Sequence, residues 1–408
     1  MPLFLFITRW TGRERGKSLE WQEAYRREFP AVKQCVYLDT AYDCGGSEIG
    51  RRAAQRYFDD WARAAVDNER GGPGRETFFR LLDETRGMVG RLLGGVEAEQ
   101  VAFVRNTNEG INALLQGFAF QPGDNIVTDA LEHESVLMPA LNAARLRGVE
   151  CRVAGSRELA GVTPEQLMER CDGRTRMVLV SHIQSSTGYR IDLEALGAFC
   201  RGRGIFLVAD AIQSLGQVPF RAREWQVDAV AAAGYKGLAA VNSVGFLYAS
   251  PGLLRQVWPV YAAAGSCLEV EWRKGAPALA CSDPGSARKL ENSSLDNLGI
   301  YVLHDALDRL LDIGVPRIWA HIGGLYDRLY AGLRAEGFRI VTPGEPERHG
   351  GVLSLRVEEL ERAFQHFRAH NIALSISAGR YLRLSIGAYT NQTDIDAALQ
   401  AAARCPVR

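Results

Sequence analysis

The chain has 408 residues, of which 47% are hydrophobic and 24% are charged, and this composition predicts a soluble globular protein with room for two domains. Its 48 basic residues balance 48 acidic residues, so no field of one sign would attract nucleic acid or an anionic membrane surface. We therefore expect a small-molecule partner, with no nucleic acid and no membrane.

The cysteines and the N-terminus give two further exclusions. The eight cysteines form no C-x-x-C pair, which argues against a zinc site and a disulfide scaffold, so we predict no metal and reduced thiols. No apolar run approaches the roughly 18–20 residues of a membrane span. The run "PLFLFI" lacks the flanking features of a signal peptide. We expect a cytoplasmic protein in which residues 1–17 are a poorly packed leader.

The first predicted elements are helical. The stretch "SLEWQEAYRREFP" predicts a helix with Ser18 as its N-cap and Pro30 at its end, and the short strand "CVYLD" follows. Apolar residues then recur at helical spacing from Glu48 to Leu93, with a break at "RGGPG".

The central part of the chain alternates between short apolar runs and helical stretches. The predicted strands are "QVAFV", "DNIVTD", "ECRVA", "RMVLVSH", "IFLVAD", "VDAVAAAG" and "GFLYA". The predicted helices between them include "NEGINALLQGF", "SVLMPALNAARLRG" and "DLEALGAFCRGRG". Because these strands lack in/out alternation and are linked by helices, the pattern predicts an α/β domain with a mainly parallel sheet covered on both faces.

The C-terminal part has a different pattern. A long helical region from about Asn297 to Glu336 precedes the strand-like runs "FRIV", "GGVLSLRV" and "RYLRLSI", with helices between them. This pattern predicts a smaller α/β domain. The predicted division is therefore an N-terminal leader and helix over 1–30, a large domain over 31–285 and a small C-terminal domain over 286–408.

Polar residues follow the predicted strands, where ligands bind in open α/β sheets. Thr107 and Asn108 open a helix whose N-terminus suits a phosphate, although ordinary helix caps look the same. Four more polar residues come directly after later strands, namely His133, Ser185, Asp210 and Gln213. Taken singly, each could also be a cap or a hydrogen-bonded core group.

Lys236 is one of only five lysines, and it follows the strand "VDAVAAAG". Small apolar neighbours would desolvate its amine, which lowers the pKa and favours attack on an aldehyde. The alternative is a lysine that extends to the surface. An aldehyde cofactor with a pyridine ring and a phosphate needs a lysine, a carboxylate, a flat group against the ring and a helix N-terminus. Lys236, Asp210, His133 and Thr107 supply these four groups.

Seven spaced motifs carry a resemblance to a known family. They are "YLDTA", "FVRNTNEGIN", "EHESVLMP", "SHIQSSTGYRIDL", "VADAIQSLGQVP", "GYKG" followed by "VGFLY", and "LRLSIGAYTNQTDID". From about Ser18 to Asp396 the chain resembles the class V aminotransferase family of fold-type I pyridoxal-phosphate enzymes. That family includes cysteine desulfurases, C–S lyases and isopenicillin N epimerase-like proteins. The resemblance implies a fold-type I transferase, with pyridoxal 5'-phosphate as cofactor and residues 31–285 as its binding domain.

The resemblance also implies roles for individual residues. Lys236 would form the Schiff base with the cofactor and then act as general base, and Asp210 would pair with the ring nitrogen. Gln213 would lie near the ring hydroxyl, and His133 would stack on the ring face. Arg383, in "YLRLS", would bind the substrate carboxylate; a surface strand charge is the alternative reading.

The expected phosphate site departs from the family pattern. The resemblance implies that Thr107 and Asn108 hold the phosphate. Ala233 and Tyr235 stand where many relatives have serine and histidine, so one phosphate hydroxyl is missing, and Tyr235 or Ser294 is expected to compensate. Ser294 falls where relatives have a threonine that reaches the neighbouring subunit's phosphate, which implies a homodimer with shared active sites.

The sulfur-accepting residue of desulfurases is absent. Relatives carry that cysteine in the region that corresponds to Ser375–Arg383, where this chain reads "SISAGRYLR". Cys281 is the nearest cysteine on the N-terminal side, and its surroundings do not predict an activated thiolate. Ser185 also replaces an asparagine that desulfurases often have near the cofactor.

The motifs predict the cofactor and leave several reactions open. Because the pattern is desulfurase-like without the acceptor cysteine, we favour a C–S β-lyase that acts on a cysteine conjugate. A class V aminotransferase and an epimerase or decarboxylating, aldehyde-forming variant remain alternatives. A nicotinamide-dependent oxidoreductase would need a G-x-G-x-x-G motif between a strand and a helix, which the chain lacks. A catalytically silent binding protein would not need Lys236, Asp210 and Arg383 together.

Overall fold

The computed structural model describes residues 20–66, 74–263, 268–283 and 285–408. The leader predicted over 1–17 and the N-cap predicted at Ser18 lie outside the described residues. The helix predicted after Ser18 is present over residues 20–26. Pro30, the predicted end of that helix, opens a short 3₁₀ helix because its fixed φ suits the first turn of a helix.

The strands and helices have the following bounds. The strands are β1 (Val36–Tyr37), β2 (Val101–Val104), β3 (Asn125–Asp129), β4 (Glu150–Ala154), β5 (Thr175–Ser181), β6 (Phe206–Asp210), β7 (Ala229–Ala233), β8 (Gly245–Ala249), β9 (Leu268–Arg273), β10 (Ala276–Cys281), β11 (Arg339–Ile340), β12 (Val352–Arg356), β13 (Ile372–Ala373), β14 (Ser375–Ser377) and β15 (Tyr381–Ser385). The α-helices are α1 (residues 20–26), α2 (Glu48–Val66), α3 (Arg75–Leu92), α4 (Thr107–Gly117), α5 (Glu134–Arg147), α6 (Pro164–Met168), α7 (Leu193–Arg203), α8 (Pro251–Leu254), α9 (Asn297–Ile313), α10 (Val315–Ala335), α11 (Leu360–Ala369) and α12 (Gln392–Ala403). Short 3₁₀ helices lie at Pro30–Lys33, Ala98–Gln100, Ala287–Leu290 and Pro346–Arg348.

The large sheet contains the seven strands that the apolar runs predict, in the order β2-β8-β7-β6-β5-β3-β4. All neighbouring pairs from β7 through β6, β5 and β3 to β4 are parallel, whereas β8 is antiparallel to both β2 and β7. The prediction of a mainly parallel sheet is therefore confirmed.

Burial on both faces explains why these strands lack alternation. In β5, Met177 and Leu179 pack into one buried cluster, whereas Val178 and Val180 pack into the other. Successive side chains of a strand point to opposite faces, so the two clusters cover the two faces of the sheet. The carboxyl ends of β3, β5, β6 and β7 consequently meet at one edge of the domain.

The C-terminal part forms an antiparallel sheet with the order β11-β12-β15-β14. The long helical region divides into α9 and α10 at Gly314, whose φ of 88° lies in a range that glycine adopts without steric cost. The N-terminal segment joins this part of the fold, because β1 pairs in parallel with β13. Arg26 supports this contact through an ion pair of 2.5 Å with Asp394. The domain boundaries themselves stay a prediction.

One hairpin was missed by the sequence analysis. Strands β9 and β10 are antiparallel and are joined by Lys274 and Gly275, whose φ angles are 52° and 81°. Two central residues with positive φ are typical of a two-residue hairpin turn. The hairpin leaves Val270 and Trp272 exposed. In the described part of the chain, no helix combines the length and the apolar character needed to cross a bilayer.

Candidate active site

Lys236 lies just beyond the carboxyl end of β7 and lines a cavity of about 280 Å³, which we call the inner cavity. Ala41, Tyr42 and Asp43, which follow β1, form one side of it. Five of the predicted site residues line it, namely His133, Ser185, Tyr235, Lys236 and Arg383. The fold thus brings residues from four distant parts of the chain to one edge of the large sheet.

The environment of Lys236 favours the neutral amine. Its side chain is buried, which excludes the alternative of a lysine extending to the surface. Burial lowers the pKa of Lys236 to about 8; the negative charge of Asp210 partly opposes this shift and the positive charge of Arg383 adds to it. The ring of Tyr235 has its centre 5.6 Å from the Lys236 Nζ. About a tenth of this amine is therefore neutral and nucleophilic at pH 7, far more than for a solvated lysine with the ordinary pKa of 10.5.

Asp210 is the buried last residue of β6, and β6 pairs with β7, the strand that precedes Lys236. Its Oδ1 accepts a hydrogen bond from the Ile212 N–H at 2.9 Å. Burial raises the pKa of Asp210 to about 7. Among the described residues no cation lies within ion-pair distance of this carboxylate. A protonated ring nitrogen is the kind of partner that would compensate such a buried charge.

Two of the predicted site residues, Thr107 and Gln213, carry a buried polar atom that has no hydrogen-bond partner within the described part of the chain. Gln213 donates from Nε2 to the Ala41 carbonyl at 2.9 Å, but its buried Oε1 accepts no hydrogen bond. Thr107 is the first residue of α4, and its buried Oγ1 has no partner. Asn108 is exposed and accepts a hydrogen bond from Asn112 at 3.1 Å. Unpaired buried polar atoms are rare in proteins, so Thr107 and Gln213 fit a polar ligand that is added to the site.

His133 caps the N-terminus of α5. Its Nδ1 accepts from the Ser135 N–H at 3.1 Å and lies 2.7 Å from the Ser135 hydroxyl. Burial lowers the pKa of His133, and the nearby charge of Lys236 lowers it further. The ring is therefore neutral at physiological pH, with its orientation set by the helix cap.

Arg383 is held at three points on β15. Its Nη1 donates to the Ser185 carbonyl at 2.9 Å, while Nε and Nη2 donate to the Ser375 Oγ at 3.2 and 2.9 Å. Ser375 in turn donates to Oδ1 of Asp39 at 2.7 Å. The Arg383 side chain is buried, which excludes the alternative of a surface charge.

Asp39 and Ser375 also belong to this site, although no sequence motif predicts their roles. Burial raises the pKa of Asp39 to about 6, against the effects of Ser375 and Arg383. The motifs "YLDTA" and "SISAGRYLR" contain both residues, yet nothing in either motif reveals that they meet.

Ser294 does not join this cluster within the chain. It is exposed and lines a separate cavity together with Arg105, Glu109 and Asp296. Its predicted contact with a phosphate would therefore have to involve a second copy of the chain.

The described cysteines do not line the inner cavity. Cys44 directly follows Asp43, which lines the cavity, but its thiol is buried against the Ala240 carbonyl. Burial raises the pKa of Cys44 to about 12. The region Ser375–Arg383 forms two strands joined by a tight turn in which Ala378 and Gly379 have φ angles of 53° and 63°. Cys267 lies outside the described residues.

Comparisons with known proteins identify the family and the fold of the chain. The family model described as Aminotransferase class-V matches residues 51–398. A probable cysteine desulfurase from Methanothermobacter thermautotrophicus is 28% identical over 349 residues, which are 83% of this chain and 82% of that protein. The apo structure of a cysteine desulfurase from Thermococcus onnurineus NA1 has a TM-score of 0.83 at 21% identity and covers 94% of this chain and 97% of its own.

A further similar structure is the complex between the cystine C–S lyase C-DES and its reaction product, cysteine persulfide. Its TM-score is 0.82 at 20% identity, and the match covers 92% of this chain and 99% of that chain. These matches confirm the predicted fold. The predicted enzyme class and the predicted cofactor, pyridoxal phosphate, are confirmed at the level of the family. Because the family model spans most of the chain, this protein belongs to the class V aminotransferases, a family of pyridoxal-phosphate-dependent enzymes.

Proposed function

We propose that this protein is a C–S β-lyase that cleaves a cysteine conjugate with the help of pyridoxal phosphate. The reaction takes a thioether of cysteine and one water and yields a thiol, pyruvate and ammonia. The observation that carries the proposal is an inner cavity that contains a buried lysine and a buried arginine but, among its described lining residues, no cysteine. Elimination requires no acceptor thiol.

The residues of the site suit this cofactor, as judged from the unpaired carboxylate of Asp210 and the unpaired atoms of Gln213 and Thr107. Bound pyridoxal phosphate would stabilise negative charge that develops at the substrate Cα. The proposed contacts are Lys236 for covalent attachment and Asp210 for the ring nitrogen. The remaining proposed cofactor contacts are Thr107, Asn108, His133, Ser185, Gln213, Tyr235 and, from a second copy, Ser294.

Arg383 and Lys236 would act on different parts of the substrate. The planar guanidinium of Arg383 would bind the substrate carboxylate and so orient the bonds at Cα. The amine of Lys236, with its lowered pKa, would accept the Cα proton and then deliver a proton to the departing sulfur. Both groups line the inner cavity, so one bound amino acid can contact both.

The region that carries the acceptor cysteine in desulfurases supports elimination over persulfide transfer. Here it is a tight turn without a thiol, in which Ala378 has a left-handed φ of 53°. The relative C-DES, which is a cystine C–S lyase, has the same fold. A class V aminotransferase, an epimerase and a decarboxylating variant use the same residues and remain alternatives.

We also propose a cytoplasmic homodimer with shared active sites. Ser294 is exposed and lies in a cavity apart from Lys236, as expected for a residue that serves a neighbouring subunit. The exposed Trp272 and Val270 on the β9–β10 hairpin are apolar surface that such a dimer could bury. Analytical ultracentrifugation tests the dimer, and a monomeric holoenzyme with full activity would exclude it.

The absorbance spectrum of the purified protein tests the cofactor and the reaction together. Wild type should show the visible band of protein-bound pyridoxal phosphate, Lys236→Ala should lack it, and Lys33→Ala, which changes an exposed lysine, should retain it. Pyruvate and ammonia should form from S-ethyl-L-cysteine. Conversion to the pyridoxamine form with L-alanine would favour the aminotransferase instead. A protein that takes up cofactor but changes no amino acid would be a silent binding protein.

A further inference from the structure

A second cavity adjoins the inner cavity. It also measures about 280 Å³, and we call it the outer cavity. His133, Ser185 and Arg383 line both cavities. The two cavities therefore join beside the arginine proposed to bind the substrate carboxylate and the histidine proposed to stack on the cofactor ring. A substrate held by Arg383 can therefore extend into it.

The walls of the outer cavity come from four parts of the fold, one of which is Ser185 and Ser186 after β5. Residues Ala130–Glu134 run from the end of β3 to the first residue of α5. Ala378, Arg380 and Tyr381 belong to the β14–β15 turn and the start of β15. Arg157 follows β4. The tight turn that replaces a cysteine-bearing loop thus forms part of this space.

The lining is positively charged. The carboxyl of Glu132 is buried, accepts hydrogen bonds from Ser181 and has a pKa well above its usual range because of burial and of nearby Asp129. These hydrogen bonds hold Glu132 inside the fold, and Glu134 is the exposed carboxylate among the described lining residues. The same lining contains three arginines, Arg157, Arg380 and Arg383.

Arg157 is the arginine of this lining that remains for a second anionic group. Arg383 is already assigned to the substrate carboxylate, and Arg380 forms an ion pair with Glu158. The Arg157 guanidinium has no partner among the described residues. Its backbone is fixed, however, because Arg380 donates from Nη1 to the Arg157 carbonyl at 2.8 Å.

We propose that the substrate's leaving group carries an anionic group, a carboxylate being the simplest, and that Arg157 binds it. This inference rests on the proposed C–S lyase function and specifies its substrate class. The amino-acid end of the conjugate occupies the inner cavity, and the group attached to its sulfur extends into the outer cavity. The released product is then an acidic thiol.

The test measures binding with two analogues that cannot lose a thiol. L-2-Aminoheptanedioate replaces the sulfur of S-(2-carboxyethyl)-L-cysteine by a methylene group, and its side-chain amide has the same shape without the charge. Calorimetry on the holoenzyme should show that wild type binds the acid about fivefold more tightly than the amide, as expected for one partly exposed ion pair.

Arg157→Gln should abolish this preference and leave affinity for the amide unchanged, and Arg157→Glu should reverse it. Arg174→Gln, which removes another exposed arginine outside both cavities, is the matched control and should keep the wild-type preference. Equal binding of acid and amide by wild type, or a preference that survives Arg157→Gln, would overturn the inference.

Failure of this inference and failure of the proposed function give different results. If S-ethyl-L-cysteine yields pyruvate while wild type binds the acid and the amide equally, the lyase function stands and the anionic leaving group is excluded. If no cysteine thioether yields pyruvate, the lyase function itself is wrong.

Discussion

Arg383 lies with its Nη2 3.7 Å from Oδ1 of Asp39, and the hydroxyl of Ser375 bridges the two side chains. The arginine proposed to bind the substrate carboxylate thus already has an internal carboxylate beside it. Substrate binding must therefore share Arg383 with Asp39, and the protonation state of Asp39 determines how strongly the two compete.

Asp39→Asn should tighten binding of amino acids by several-fold near neutral pH. The amide retains an acceptor for Ser375 and removes the competing charge. Because burial raises the pKa of Asp39 to about 6, the wild-type carboxyl becomes neutral as the pH falls through that value, and the advantage of the variant should disappear there. Spectral titration with L-alanine at several pH values measures this. Asp43→Asn, which changes another carboxylate of the inner cavity, is the control, and a pH-independent ratio of affinities would contradict the argument.

Asp210→Asn should stabilise the cofactor-free protein and weaken its hold on pyridoxal phosphate. The folded-state pKa of about 7 lies above the ordinary value of 3.8, so ionised Asp210 destabilises the fold at higher pH and the penalty shrinks as the pH falls toward that ordinary value. The gain in unfolding free energy should be about 2–4 kcal/mol at about pH 8 and clearly smaller near pH 5. Urea denaturation of both apoproteins measures it. An equal gain at both pH values would show that the charge of Asp210 is not its cause.

Thr107→Val should weaken cofactor binding without destabilising the apoprotein. The Thr107 Oγ1 makes no hydrogen bond to the described residues, so its loss removes an unpaired buried polar atom. Affinity for pyridoxal phosphate should fall about tenfold if the hydroxyl binds the phosphate. Thr128→Val is the matched control, since Thr128 in β3 also has a buried, unpaired hydroxyl. Equal cofactor affinity in the two variants would place the phosphate elsewhere.

The rate of covalent cofactor uptake by the apoprotein should rise with pH and level off just above pH 8. Neutral amine is the reactive form, and burial lowers the pKa of Lys236 to about 8 from its ordinary value of 10.5. Borohydride trapping followed by mass spectrometry measures the attached fraction over time. A rate that still climbs steeply near pH 10 would mean that Lys236 behaves as an ordinary, solvated lysine.

Several features of the fold could be predicted because their cause is local. Most strands of the large sheet are short apolar runs, and such a run indicates burial on both faces, whereas the edge strand β4 contains the exposed residues Glu150 and Val153. The positions of Asp210 and Lys236 at strand ends could also be predicted, because parallel strands bring their carboxyl ends to one edge. The β9–β10 hairpin was missed because exposed, alternating residues such as Val270 and Trp272 were not read as a strand.

The sequence by itself determined the strand and helix pattern of the large domain, the cofactor-type residues and the lack of a cysteine in Ser375–Arg383. Only the tertiary structure decided which distant residues meet. The pairing of β1 with β13 and the contact of Asp39 with Arg383 each join segments more than 300 positions apart. The hydrogen bond from Ser375 to Asp39 likewise spans 336 positions. Local apolar periodicity reports whether a residue is buried, whereas the partner of a buried charge depends on how whole layers pack, and no local pattern records that.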